Sequence, residues 1–262
     1  MKIVLIKEFL SYMEVAEMKP VIIIPTLNPD QRLVNLVEKL NKVDIPIVII
    51  NDGSKEECSD IFEILRSRFQ CDIFNHARNM GKGAAIKTGI DYVSQVYPES
   101  CGYVTADGDG QHAAEDILRV AKALQKNQGS LILGSREFSE KDVPFKSRWG
   151  NRITSLVFKL STGKECPDTQ TGLRGIPKEF KGICLSVPGN RFEYEMNMLL
   201  KFVGYNIPLM YISIATIYLE NNKSSHFNPV KDSIRIYSNI LKYSFYNYSK
   251  RKDEVRNEKI SI

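Results

Sequence analysis

Between residues 20 and 135 this chain repeats one pattern: a short apolar run, then a stretch whose apolar residues recur every three or four positions. Val21–Ile24, Ile47–Ile50, Gly102–Ala106 and Leu131–Leu133 have the length and composition of buried strands, and residues 71–75 form a weaker one. Between them, Leu33, Leu36, Val37 and Leu40 share one helical face. Ile61, Leu65 and Phe69 share another, as do Ile86, Ile90 and Val93, and then Ile117, Val120, Ala121 and Leu124. Parallel strands need a crossover between them, and a helix is what usually fills it. The alternation therefore predicts an α/β domain with a mainly parallel sheet and helices on both faces. Ligands of such sheets sit at the carboxyl ends of the strands.

Polar clusters stand at three of those ends: Pro25-Thr26-Leu27-Asn28, Asn51-Asp52-Gly53-Ser54, and Asp107 with Asp109 in the segment TADGDGQH. Two carboxylates separated by Gly108, with the amide of Gln111 following, form a set of hard oxygen donors. Such a set suits Mg²⁺ or Mn²⁺ rather than a thiolate-seeking metal. Mg²⁺ sites commonly include substrate phosphates, so the implied ligand is a diphosphate. A bare D-x-D is also common as an acidic surface turn; three such clusters on one edge favour a site. Gly81-Lys82-Gly83, at the start of a helix, offers backbone amides and a cation to an anion, and reads equally as a Gly-rich loop entering a helix. No G-x-x-x-x-G-K-[ST] occurs and no G-x-G-x-x-G follows the first strand, which argues against nucleotide hydrolases and dinucleotide oxidoreductases.

With 262 residues, 43% of them hydrophobic, the chain can bury a full core. The reading divides it into an N-terminal extension (1–19), one domain (20–230) and a basic C-terminal segment (231–262). The net charge is only +5, and eight Lys/Arg against four Asp/Glu lie from Lys231 onward, so nucleic acid is not expected as a partner. Five cysteines without a C-x-x-C pair fit free thiols, and no signal-peptide pattern is expected. In a helix over 191–203, Phe192, Met196, Leu199 and Val203 form the apolar stripe and Glu195 borders it, placed either to act at a site or to pair with Arg191. The uncharged run Phe202–Leu219 reads as two strands and a turn. Ile234, Tyr237, Leu241, Phe245 and Tyr248 fall on one helical stripe beside Lys250-Arg251-Lys252. That combination fits an interfacial helix on an anionic bilayer, or a helix packed on the parent domain or on a membrane-protein partner.

The ordered set PTLN, NDGS, RNMGKGAAIKTG, the D-x-D-x-Q-H strand end, Gly134-Ser135-Arg136 and DTQTGLRG (Asp168 to Gly175) resembles the family 2 glycosyltransferases. Within them it is similar to the branch that makes polyprenyl-phosphate sugars, over roughly residues 20 to 230. The resemblance implies the nucleotide-diphospho-sugar transferase (GT-A) fold and an inverting transfer of a hexose to a polyprenyl phosphate at the cytoplasmic membrane face. It places Asp52 against the nucleoside, with Pro25, Thr26, Asn28, Gly81 and Lys82 around the nucleotide sugar. Asp107 would face the nucleotide, and Asp107, Asp109 and Gln111 would hold Mg²⁺ or Mn²⁺. Arg136 and Arg148 would grip the acceptor phosphate, with Arg152 a further candidate. Asp107, Asp109, Arg136 and Glu195 are the expected catalytic set. Where the family often has a carboxylate directly after the Asn of the first motif, this chain has Pro29 and then Asp30. A cell-surface glycan as acceptor, or a catalytically silent nucleotide-sugar-binding subunit of a membrane complex, are the alternatives.

Overall fold

The computed structural model describes residues 18–136, 145–217, 237–240 and 243. Strands β1 (Val21–Thr26), β2 (Ile47–Asn51), β3 (Asp72–Asn75), β4 (Gly102–Thr105) and β5 (Leu131–Arg136) alternate with helices α1 (Gln31–Leu40), α2 (Ser59–Phe69), α3 (Lys82–Val96) and α4 (Ala114–Lys126). Then come α5 (Phe145–Thr162), β6 (Arg174–Pro177), α6 (Lys181–Ser186), α7 (Glu193–Gly204) and β7 (Leu209–Ile214). The seven strands form one sheet in the order β3-β2-β1-β4-β6-β5-β7. All neighbours are parallel except β6, which runs antiparallel to both β4 and β5.

Strands β1, β2, β4 and β5 are buried as their composition dictates, whereas β3, at the sheet edge, is half-buried to exposed. Ile22, Ile23 and Ile24 are wholly buried and alternate between two cores, one on each sheet face. Ile22 and Ile24 pack with Leu33, Leu65 and Leu124, the inward stripes of α1, α2 and α4. Ile23 packs on the opposite face with Ile86, Ile90 and Val93 of α3 and Leu199 of α7. Fully burying such a side chain contributes about 1.5–3 kcal/mol, so these stripes fix which face each helix presents. Glycine at 89 lets α3 lie directly on β1, since a Cβ there would come within 2.4 Å of Ile23. Asp30 opens α1 by accepting the Arg32 amide at 2.9 Å and pairing with the Arg32 guanidinium. The carboxylate displaced from its usual place after Asn28 is therefore a helix cap here.

One expectation changes, one strand was not foreseen, and one alternative left open is narrowed. The strand β6, which no apolar run announced, interrupts the parallel sheet. The run Phe202–Leu219 is the end of α7 and one strand, β7, rather than two strands; residues 218–219 lie outside the described part. Of the C-terminal stripe, Ile234, Leu241, Phe245 and Tyr248 lie outside the described residues, while Tyr237 sits against the domain, its hydroxyl 3.1 Å from that of Thr154. Ile240 is wholly buried in the core and Tyr243 packs on it, next to Gly204. The described part of this segment therefore docks on the parent domain. All five cysteines are free thiols, and burial pushes Cys71, Cys101 and Cys166 up to about 11 and Cys184 to about 12. Among the described residues no helix is long and apolar enough to cross a membrane.

Candidate active site

The polar clusters at the ends of β1, β2 and β4 meet as the strand order requires. Those of β1 and β2 interlock through hydrogen bonds. The Asn28 amide donates to Ser54 Oγ at 2.8 Å, Asn28 Oδ1 accepts the Lys55 amide at 2.9 Å, and the Ser54 amide donates to Asn51 Oδ1 at 2.9 Å. Pro25 and Thr26 complete β1 beside them, and the Asp52 amide donates to the Thr26 carbonyl at 2.8 Å.

Asp52 is buried, and its own chain surrounds its carboxylate. Oδ1 accepts the Met80 amide at 2.8 Å and lies 2.7 Å from His76 Nδ1, while Oδ2 accepts the Gly81 amide at 2.8 Å. The Gly-rich entrance to α3 thus already has an anion at its positive end, and that anion is Asp52. A second acceptor, the Asn190 carbonyl, takes the Ala84 amide at 3.0 Å. Gly81 holds a left-handed φ of 102°, and a Cβ there would meet the Asn190 carbonyl at 2.3 Å.

Lys82, next in the chain, carries the centre of the arrangement. Its ammonium lies 2.7 Å from Asp107 Oδ1 and 3.1 Å from Glu195 Oε1, joining the start of α3, the end of β4 and the first turn of α7. Glu195 therefore partners Lys82 and not Arg191. Glu193, by contrast, accepts the Asn190 and Arg191 amides at 3.2 and 3.3 Å and braces the turn before α7. On the other side of Asp107, Oδ2 is 3.4 Å from His112 Nε2. Burial opposes the Asp107 anion, but Lys82 and then His112 outweigh it and hold the carboxyl well below the usual carboxylate range. Burial likewise opposes the Lys82 ammonium, and Asp107 followed by Glu195 outweighs it, raising Lys82. Asp109 goes the other way: burial and then the charge of Asp107 raise it, while its Oδ1 accepts the backbone amide of Gln111 at 3.0 Å. Two crowded carboxylates, one forced toward its neutral form, are what a divalent cation would relieve. The oxygen donors of Asp107, Asp109 and Gln111 fit Mg²⁺ or Mn²⁺.

The antiparallel course of β6 brings its beginning to the same edge, through the register Thr105↔Arg174. Just before it, the Gly172 carbonyl accepts the Thr105 hydroxyl at 2.8 Å. A Cβ on Gly172 would fall 2.6 Å from Asp107 Oδ2 and 2.9 Å from Lys82 Nζ. Gly172→Ala therefore displaces the Asp107 carboxylate, the Lys82 ammonium or both from their present positions. Overpacking of this kind costs about 1–3 kcal/mol, and we expect a lowered melting temperature together with loss of activity. An unchanged melt and full activity would show that the pair has room to move.

Arg136, at the end of β5, forms a two-pronged pair with buried Asp168, at 2.7 Å from Nε and 3.0 Å from Nη2. Asp168 thus fixes the direction of the guanidinium. Arg148 lies on α5, but its side chain is outside the described part; Arg152 is exposed on the same helix. Sequence reasoning named Asp52, Lys82, Asp107, Asp109 and Glu195 but not what joins them. It also gave no role to His76, His112, Asp168 or Gly172, although the last three lie in motifs already singled out.

The fold and the edge together define a nucleotide-diphospho-sugar transferase architecture. Glucosyl-3-phosphoglycerate synthase from Mycobacterium tuberculosis, solved with Mn²⁺, UDP-glucose and phosphoglyceric acid, shares it with a TM-score of 0.60 at 14% identity, covering 89% of this chain and 82% of that one. The family model described as glycosyl transferase family 2 matches residues 21–181, and the chain belongs to that family and is a glycosyltransferase. It is similar to the UDP-N-acetylglucosamine–dolichyl-phosphate N-acetylglucosaminyltransferase of Methanococcus voltae, 27% identical over 240 residues, 84% of this chain and 94% of that protein. It is also similar to a dolichyl-phosphate beta-glucosyltransferase of Trichomonas vaginalis, 28% identical over 234 residues, 81% of this chain and 70% of that protein.

Proposed function

We propose that this chain transfers a hexose from a nucleotide-diphospho-sugar to a polyprenyl phosphate, with inversion, at the cytoplasmic face of the membrane. The observation that carries the reading is the charge cluster Asp107–Lys82–Glu195 beside Asp109, placed at the strand ends where such folds take their ligands. The two relatives named above, one acting from a UDP-sugar and both on dolichyl phosphate, supply the acceptor class.

Asp109 and Gln111, with Asp107, would hold Mg²⁺ or Mn²⁺, which when bound offsets the negative charge that builds on a departing diphosphate. The protein's own groups do the rest in this reading. Lys82 keeps Asp107 ionised and fixes the direction of Glu195. The loop that Asp52 clamps closes over the nucleoside side with Pro25, Thr26, Asn28 and Gly81. A phosphate acceptor is already ionised near neutral pH and needs positioning and charge complementarity more than a strong base. Arg136, aimed by Asp168, and Arg148 supply those cations.

Incubation with radiolabelled nucleotide sugars and a prenyl phosphate, followed by lipid extraction, tests the reading. Label in the lipid fraction supports it. Label confined to polymer would move the acceptor to a glycan, and no transfer with any donor would leave a sugar-nucleotide-binding subunit.

A further inference from the structure

We propose that His76 is a positioning residue for donor binding, acting through Asp52 on the loop 76–81. Three side chains stand in a row. Asp52 Oδ1 lies 2.7 Å from His76 Nδ1, and His76 Nε2 lies 3.0 Å from Thr88 Oγ1. The side chains of Asp52 and His76 are each only 5% exposed. An ionised carboxylate can only accept, so the shared proton sits on Nδ1, and in the neutral ring Nε2 accepts the Thr88 hydroxyl. Thr88 lies inside α3, so the relay ties the end of β2 to the body of that helix.

Every link in the row bears on the same loop. Asp52 also accepts the Met80 and Gly81 amides, each at 2.8 Å. With His76, these fill three of the roughly four lone-pair positions of a carboxylate. The loop lies directly on the end of β2, since a Cβ on Gly53 would meet the Arg78 carbonyl carbon at 2.3 Å. The His76 amide donates to the Asn51 carbonyl at 2.9 Å and fixes where the loop starts. Of the three donors on Asp52, two are backbone amides and one is a side chain. The imidazole therefore sets how the carboxylate is turned, and with it whether both amides are held.

A loop ordered in advance takes its ligand without a further entropic cost, and the saving is read as affinity. Without the relay, the donor itself must order the loop. That cost falls equally on the bound donor and on the transition state, so it weakens binding and leaves the chemical step in place. The proposal rests on the donor-site reading above. The relay ends on Asp52 and Thr88 rather than on Asp107 or Asp109, so the strengthening of binding by Mn²⁺ should survive its loss.

The test is calorimetric titration of UDP, GDP and CDP into the full chain, with and without Mn²⁺, on the native protein and three variants. His76→Leu keeps the bulk of the ring and removes the relay. Affinity for the preferred nucleotide should fall at least about tenfold, the scale of a lost hydrogen bond to a charged group. The factor by which Mn²⁺ strengthens binding should stay as in the native chain. His76→Asn can place an amide N–H where Nδ1–H stands, and should recover most of the affinity without reaching Thr88. Thr88→Val, one β-branched residue for another, should weaken binding in the same direction by a smaller factor, and it carries the test if His76→Leu does not fold. Undiminished affinity in Thr88→Val and in any folded His76→Leu overturns the proposal. So does His76→Asn binding no better than a folded His76→Leu, since ring bulk and not the bond to Asp52 would then matter, or a lost Mn²⁺ effect. A native chain that binds none of the three nucleotides instead fails the donor-site reading, and the proposal falls with it.

Discussion

Lys82→Met should be the most damaging single change in the chain, lowering stability by about 3–5 kcal/mol, the range for breaking a buried ion pair by removing one partner. Methionine keeps the stem volume but strands Asp107 and Glu195, whose side chains are only 25% and 9% exposed. A urea melt near neutral pH measures the loss, and Glu195→Gln on the Lys82→Met background should recover part of it by removing one stranded charge. The pH dependence separates this cause from lost packing. In the native chain Asp107 is held below its ordinary 3.8, so its stabilisation is complete above that value and is lost as pH falls below it. Lys82 is held above its ordinary 10.5, so its contribution persists up to that value and disappears only at higher pH. The variant should instead gain stability on acidification from neutral pH, as the stranded carboxylates take up protons. A variant within about 1 kcal/mol of the native chain would remove the cluster from any structural role.

Asp109→Asn should separate stability from function. Burial and the Asp107 charge raise the Asp109 pKa, so its anion destabilises the metal-free protein at neutral pH, and protonation relieves the strain as pH falls. The amide is neutral, nearly isosteric, and retains an oxygen for the Gln111 N–H. The metal-free variant should melt above the native protein at pH 7, with the gap narrowing on acidification. Its transfer rate should fall at least about a hundredfold, because the loss of a charge-stabilising cation site is worth several kcal/mol in the transition state. A stabilising change that destroys activity marks a functional residue held in an unfavourable electrostatic setting. A variant that melts lower than the native chain, or keeps its activity, would place Asp109 among ordinary surface turns.

The first five strands and four helices were legible because their apolar residues repeat at the periods of two and three to four that burial demands. Strand β6 was not. Its four residues, Arg174-Gly175-Ile176-Pro177, hold no apolar run, and its arginine is buried by contacts no local pattern encodes. Arg174 donates from Nε to the Thr171 carbonyl at 3.0 Å and from Nη1 to the Glu195 carbonyl at 2.7 Å, linking distant segments. The break inside Phe202–Leu219 was hidden for a related reason: an uncharged run shows no period change where α7 ends and β7 begins. At the site, Asp107 and Asp109 announced themselves through spacing. The pairing of Lys82 with Asp107 and Glu195 did not, because it depends on how α3 and α7 pack under the sheet edge. Gly172 was invisible as a steric requirement until β6 reversed the chain and set it against Asp107. The role of Asp52 as an anion at the α3 entrance was likewise unreadable, since it needs the 76–81 loop to fold over it.

The most direct measurement of the central claim is calorimetric titration of a nucleoside diphosphate into the full chain with and without Mn²⁺, repeated on Asp109→Ala. The edge formed by Asp52, Lys82, Asp107 and Asp109 is the donor site in this account. Binding should therefore be strengthened at least about tenfold by Mn²⁺ in the native chain, a modest share of what a cation on a diphosphate supplies. In the variant, which should remain folded by circular dichroism, that strengthening should vanish. Undiminished Mn²⁺-dependent affinity in Asp109→Ala would contradict the account and move the donor site away from the end of β4.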